Sequence, residues 1–206
     1  GMDQMEDQLC EARTEAEYDR LTGLYNRAGS ERRAEAFLGE ENQKGAMVLL
    51  DLDNFKRVND SEGHPAGDEI LRKFAGCLSD TFRREDVIGR LGGDEFVVLI
   101  RNEVSMKTLE DKFKDLLDKA RRTLAESYEK YQVSASIGAV PVDDRIRDYK
   151  KLYQCADTAL YISKYLGKDQ FYINDTLISC MRRECIMCRA DCPRSRILRA
   201  DDKGRG

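Results

Sequence analysis

The sequence predicts an α+β domain in which α-helices flank a central, mostly antiparallel β-sheet. Three observations carry this. Apolar runs that read as strands alternate with stretches of helical periodicity in the order β-α-β-β-α-β. Two of the runs, "DVIGRL" (86–91) and "EFVVLI" (95–100), flank Gly92-Gly93, a hairpin signal that implies antiparallel pairing. A third run, "AMVLLDLD" (46–53), is apolar until it ends in acids, so it reads as a buried strand with a polar C-terminal end.

The elements follow in chain order. Residues 2–19 are polar and helix-prone, and Met5, Leu9, Ala12 and Ala16 fall at alternating spacings of four and three. That pattern predicts a linker or signalling helix with a short coiled-coil seam. "DRLTGLYNR" (19–27) brings Gly and Asn and marks a turn before a helix over about 29–40. After the strand at 46–53, "GDEILRKFAGCLSDTF" (67–82) sets Ile70, Leu71, Phe74 and Leu78 on one helical face. Leu109, Phe113, Leu116, Leu117, Ala120 and Leu124 form the stripe of a second amphipathic helix. "VSASIGAVPV" (133–142) is a strand, and Tyr149 to Leu166 a helix closed by Gly167 as its C-cap. "QFYI" (170–173) ends the domain as a short strand. The composition then turns to Cys and Arg, which divides the chain into an N-terminal helix (1–18), a folded domain (19–176) and a tail (177–206).

A chain of 206 residues suits one domain with appendages, and 41% hydrophobic residues suffice for a real core. No apolar run approaches the ~18 residues of a membrane span, and no secretory signal is visible. A net charge of −4 argues against a generic binder of nucleic-acid backbone, so a polyanionic ligand would be met by local cations or metal. Seven cysteines without a secretory signal point to a reducing, cytoplasmic location and not to a disulfide framework.

Four acids stand out. Asp51 and Asp53 end one strand, and Asp94 and Glu95 sit at the tip of the hairpin. If those strands are neighbours, Asp51 and one hairpin acid converge, and two close carboxylates repel unless a cation lies between them. A hard dication such as Mg²⁺ takes one or two carboxylates and completes its shell with water and phosphate oxygens. Adjacent strand residues point to opposite faces, so one of Asp94 and Glu95 is expected to reach the metal. Gly93, lacking Cβ, lets a phosphate approach the backbone. An EF-hand loop starting at Asp51 is disfavoured. Phe55 falls where an oxygen ligand belongs, and Lys56 where glycine should make the turn. A structural reading, in which the acids are solvated strand-end caps, stays open for Asp53.

"DRLTGLYNR", "DLDNFKRVNDSEGHPAGDEIL" (51–71), "GGDEF" (92–96) and "ADTALYISKYLGKDQ" (156–170) together resemble the GGDEF-domain diguanylate cyclases, in order over roughly residues 19–175. The resemblance implies a palm-like fold shared with nucleotidyl cyclases. It also implies a homodimer in which two domains, each holding GTP, face one another and form cyclic di-GMP with release of pyrophosphate. By position, Asp51, the Leu52 carbonyl and Asp94 would hold Mg²⁺ or Mn²⁺, and Asp94 would promote deprotonation of the attacking 3′-hydroxyl. Glu95 would assist. Asn59 and Asp68 match the guanine-reading positions, although Asp68 could instead cap the helix after it. Leu24 would line the base pocket, and Asn54 stands where some relatives carry an aromatic residue. Lys56, Lys164 and Lys168 match phosphate-contacting positions, the last two being four apart and so expected on one helix side. His64, the only histidine, reads as a loop-ordering residue.

"RRED" (83–86) lies before "GGDEF" at the spacing of the family's inhibitory product site, with Arg83 set to clamp a phosphate or stack on guanine and Asp86 to accept from a guanine edge. A plain i, i+3 ion pair is the alternative. In the tail, outside the resemblance, Cys180, Cys185, Cys188 and Cys192 could ligate zinc or an iron–sulfur cluster, or be free thiols. The resemblance further implies control by an upstream sensory or regulatory domain outside this sequence. Two alternatives to a GTP-dependent cyclase remain: a catalytically silent GGDEF-type receptor for cyclic di-GMP, and a cyclase making another dinucleotide, which Asp68 disfavours.

Overall fold

Strand β1 (Gly45–Asp53) is buried at all nine positions, which places it at the centre of the sheet. Around it lie β2 (Val87–Gly92), β3 (Glu95–Ile100), β4 (Ser134–Val142) and β5 (Phe171–Ile173), in the spatial order β2-β3-β1-β4-β5. The β2–β3, β3–β1 and β1–β4 pairings are antiparallel, and only the short β5 runs parallel to its neighbour. The structure, a computed structural model, describes residues 16–177. The expected seam at Met5, Leu9 and Ala12, and the tail cysteines Cys180, Cys185, Cys188 and Cys192, lie outside the described residues.

Among the described residues six helices accompany the sheet: α1 (Arg27–Gly39), α2 (Phe55–Glu62), α3 (His64–Thr81), α4 (Met106–Thr123), α5 (Ala125–Tyr131) and α6 (Tyr149–Tyr165). The two-residue alternation of β1 divides the core between its faces. Ala46, Val48, Leu50 and Leu52 pack with Phe74 and Leu78 of α3 and Phe113 and Leu116 of α4. Met47 and Leu49 pack with Phe37 of α1 and with Leu152, Ala156 and Leu160 of α6. Phe74 meets Phe96 of β3 edge-on, with ring centroids 5.1 Å apart. Side chains cap α1, α4 and α6: the amide of Gly29 donates to Asn26 at 2.9 Å, that of Thr108 to Ser105 at 3.1 Å, and that of Lys151 to Asp148 at 2.8 Å. Outside β2, Tyr25 runs alongside as a further bridge. Its amide donates to the Ile88 carbonyl at 3.1 Å, and its carbonyl accepts from Arg90 at 2.8 Å.

Three features depart from the sequence reading. Helix α2 occupies part of the acidic loop and buries only Phe55 and Val58, too little for a periodic stripe. Helix α5 buries nothing, so no apolar signal announces it. The last helix ends at Tyr165 with Leu166 as its cap, and Gly167 follows at φ 128°. Lys168 therefore lies beyond the helix, at φ 65°, and does not share a helix side with Lys164.

The docking of α6 on the sheet fixes the place of Lys164. A Cβ on Gly138 of β4 would fall 2.0 Å from the Leu160 nitrogen and 2.5 Å from the Ala156 oxygen, both helix backbone. Ser163 pins the next turn by donating to the Ile137 carbonyl at 2.6 Å. Gly138→Ala should lower stability by about 3 kcal/mol, because backbone and not a pliable side chain must yield. Urea unfolding checks this; a midpoint equal to that of the native sequence would show that the helix does not ride so closely on the strand.

Candidate active site

Pairing register brings the acids together. Asp51 lies opposite Glu95 in the β1–β3 ladder, and the Leu52 amide donates to the Asp94 carbonyl at 3.3 Å. Asp51 shares its face of β1 with Met47 and Leu49, towards α6, where Lys164 Nζ donates to Asp51 Oδ2. Asp51 is 7% exposed, and its Oδ1 is buried with no hydrogen-bond partner. The Asp94 carboxyl is pushed up to about 6, first by burial and then by the charge of Asp51 and a hydrogen bond with it, while Lys164 pulls the other way. Glu95 is different: its side chain is 42% exposed, and its nearest cation is Arg27, 3.9 Å away.

The buried Asp51 carboxylate, one oxygen of which lacks any partner, together with the half-buried Asp94 fits a hard divalent cation. Among the described residues no group of three or more His, Cys, Asp or Glu gathers to hold a metal. A cation here would thus rest on two carboxylates and a backbone carbonyl, leaving about half of an octahedral shell for water and ligand oxygens, as suits Mg²⁺.

The hairpin tip is open above and braced below. Gly92 (φ 137°) and Gly93 (φ 53°) adopt conformations that disfavour other residues, and nothing lies within 4 Å of where a Cβ would be on either. Arg90 Nε donates to the Gly93 carbonyl at 2.9 Å, while its Nη1 donates to Asp19 at 3.0 Å. Asp19 also accepts from the Thr22 amide and hydroxyl, at 2.9 and 2.6 Å. Burial pushes its carboxyl up, but the bonds from Thr22 and Arg90 outweigh that and hold it below the usual range. Arg27 Nε reaches the Leu91 carbonyl at 3.3 Å. Asp19, Arg27 and Arg90 had been assigned no role from sequence, although each lies in or next to a motif segment.

Other predicted residues sort into distinct places. Asp53 is structural: its carboxylate accepts from Ser134 at 2.8 Å, Ser136 at 2.8 Å and the Asp169 amide at 3.1 Å. Asp68 does not cap α3, which starts four residues earlier at His64. Asn59 lies directly on the turn carrying Asp68, since a Cβ on Gly67 would fall 1.9 Å from Asn59 Oδ1. Lys56 is exposed, and Lys168 Nζ donates to Asn54 Oδ1 at 3.0 Å. Leu24 borders a separate cleft of about 370 Å³ with Tyr18, Phe82, Arg83, Asp86 and Ile88. In that cleft Asp86 accepts from the amides of Arg83 at 2.9 Å and Arg101 at 3.1 Å, so it closes the local turn. Arg83, 67% exposed at its side chain, lies 3.9 Å from Glu85 and makes no ion pair with Asp86.

Comparison with known proteins identifies the family and the fold. The family described as "Diguanylate cyclase, GGDEF domain" matches residues 16–170. Diguanylate cyclase DgcS of Shewanella oneidensis is 34% identical over 175 residues, covering 84% of this chain and 57% of that protein. Cyclic di-GMP phosphodiesterase PdeR of Escherichia coli is also 34% identical, over 159 residues, covering 77% of this chain and 24% of the relative. The chain thus spans less than two thirds of the length of either. The coiled coil and GGDEF domain of DgcB from Caulobacter crescentus, solved in complex with c-di-GMP, superimposes with a TM-score of 0.73. That match covers 84% of this chain and 93% of DgcB's at 21% identity, and so shows likeness of fold.

The raised Asp94 carboxyl has a thermodynamic signature. Its value near 6 in the folded protein exceeds the ordinary 3.8, so the native state binds this proton more tightly than the unfolded chain. Stability from this group is therefore present at low pH and lost as pH rises from about 4 to about 6. Asp94→Asn should flatten that slope and raise the melting temperature of metal-free protein at pH 7. Thermal unfolding of both proteins at pH 4.5 and 7 is the check, and identical pH slopes would remove Asp94 as the source.

Proposed function

This chain belongs to the GGDEF diguanylate cyclase family, and from that premise we propose that it joins two molecules of GTP into cyclic di-GMP with release of pyrophosphate. The observation that carries the reading is the buried Asp51, with its partnerless oxygen, paired with the half-buried Asp94 beside the ammonium of Lys164. Asp51, the Leu52 carbonyl and Asp94 would hold Mg²⁺ or Mn²⁺, which supplies charge neutralisation at the triphosphate and favours an alkoxide nucleophile. Asp94, whose carboxyl already titrates near neutrality, promotes removal of the proton from the 3′-hydroxyl. The oxygen so activated attacks the α-phosphorus of the other GTP and expels one pyrophosphate, and the reciprocal attack by the second 3′-oxygen closes the ring and expels another. Glu95, tethered towards Arg27, assists from the edge.

Asn59 and Asp68, brought together on α2 and α3, read guanine. Asp68 accepts from N1–H and the exocyclic amine, and the Asn59 amide pairs with the base edge. Adenine lacks those paired donors, so it leaves the carboxylate unmatched and is rejected. Leu24, expected in the base pocket, lines the Arg83 cleft and so joins the product site. Lys56, Lys164 and Lys168 meet the phosphates, Lys164 exchanging Asp51 for a phosphate oxygen, and the open space at Gly93 admits the triphosphate to the hairpin backbone. One domain holds one GTP, so catalysis requires a homodimer with facing sites. The cleft at Arg83 takes the product as a feedback site: Arg83 supplies the exposed cation, and Asp86, committed to two amides, offers only its remaining lone pairs.

Incubation with GTP, ATP and Mg²⁺ followed by mass spectrometry should give cyclic di-GMP from GTP alone. Asp94→Ala should abolish it. Product binding without any GTP turnover by the native chain would favour the silent-receptor reading instead. In calorimetry Arg83→Ala should weaken cyclic di-GMP binding by about tenfold or more, the loss of a charge-assisted contact. Unchanged affinity would remove Arg83 from the product site.

A further inference from the structure

Six non-glycine residues among those described have positive φ, and four of them meet where β1 ends. These are Asn54 (59°), Gln132 (58°), Lys168 (65°) and Asp169 (51°). Left-handed backbone is costly for residues with a side chain and persists only where the surroundings over-determine it. Here the surroundings are one another. Asn54 Nδ2 donates to the Gln132 carbonyl at 2.9 Å, Lys168 Nζ donates to Asn54 Oδ1 at 3.0 Å, and the Asp169 amide donates to Asp53 at 3.1 Å.

Asn54 is the hub, and it departs from the usual behaviour of its position. It is the N-cap of α2, where asparagine normally takes extended backbone and accepts from its own helix. Its φ and ψ are instead 59° and 15°, and its side chain makes no cap bond. The amide orientation is set by its partners: a carbonyl can only accept and an ammonium can only donate, so Nδ2 faces Gln132 and Oδ1 faces Lys168. Gln132 is a firm anchor, because as the C-cap of α5 its own amide and Nε2 both reach the Tyr128 carbonyl, at 2.9 and 3.0 Å. The otherwise flexible Lys168 is thereby held at the strand end that carries Asp51. One of its three donors is spent on Asn54, leaving the others for an anion.

We propose that Asn54 is a positioning residue for the nucleotide phosphates, acting through Lys168. The inference rests on the reading of this site as a GTP site. Asn54→Gly keeps the left-handed backbone accessible and removes only the side chain, so it separates this role from backbone strain. By calorimetry with Mg²⁺ and a non-hydrolysable GTP analogue, Asn54→Gly should weaken binding about fivefold, the worth of one exposed charged hydrogen bond. Turnover at saturating GTP should change less than the Michaelis constant. In a Lys168→Met background the same substitution should cost nothing further, since the two residues act as one unit. Native affinity in Asn54→Gly, or an undiminished loss in the Lys168→Met background, would overturn the proposal. Failure of the native chain to bind the analogue at all would overturn the GTP reading itself, and this inference with it.

Discussion

The register of β1 against β3 is the constraint on which the rest of the structure depends. A strand buried at every position ends in acids, and its pairing sets Asp51 across from Glu95 with Asp94 at the turn beside it. A slip of one residue would carry Asp51 to the opposite face, into the phenylalanine-rich core under α3 and α4. Apolar cross-strand pairs from Ala46–Ile100 to Leu50–Phe96 oppose that slip, so the hydrophobic ladder holds two mutually repelling charges at close range. The site stores unfavourable electrostatics in the empty protein, and Lys164 offsets part of it.

Much of this could be read in advance, and the reasons differ by element. Long segments with many apolar positions announced themselves: α3, α4, α6 and four of the five strands bury enough side chains to leave a period. Helices α2 and α5 did not, because eight residues burying two side chains, or seven burying none, carry no stripe. The convergence of Asp51 and Asp94 followed from two polar strand ends and a glycine turn. The brace of Asp19, Arg90 and Gly93 did not, since it joins residues 71 apart in sequence through a single guanidinium, and no local pattern encodes such a reach. Nor did the cluster around Asn54, which depends on backbone conformations that asparagine, glutamine and lysine rarely adopt.

Acids that look alike in the sequence have unlike work. Asp51 and Asp53 are two residues apart on one strand face, yet Asp53 is saturated by two serine hydroxyls and an amide, whereas Asp51 keeps an oxygen without a partner. The difference lies in β4: Ser134 stands opposite Asp53 and Ser136 opposite Asp51, yet both hydroxyls donate to Asp53. Asp86 resembles Asp53: one carboxylate oxygen takes the Arg83 amide within the turn that displays that side chain, and the other takes the Arg101 amide just after β3. Counting carboxylates does not locate chemistry: among the described residues Asp51 and Asp169 each keep a buried oxygen without a partner, and it is the carboxyl of Asp94 beside Asp51 that marks the site.

Tyr25, laid along the outside of β2, has a consequence for how such domains associate. It occupies backbone groups that an edge strand would present to a stranger, and the opposite edge, β5, is only three residues long. Neither margin offers a template on which a foreign strand could zip. Any contact between copies of the domain is left to side-chain surfaces, which join and separate without breaking a main-chain ladder, and the two covered margins guard the sheet against fibrous self-association.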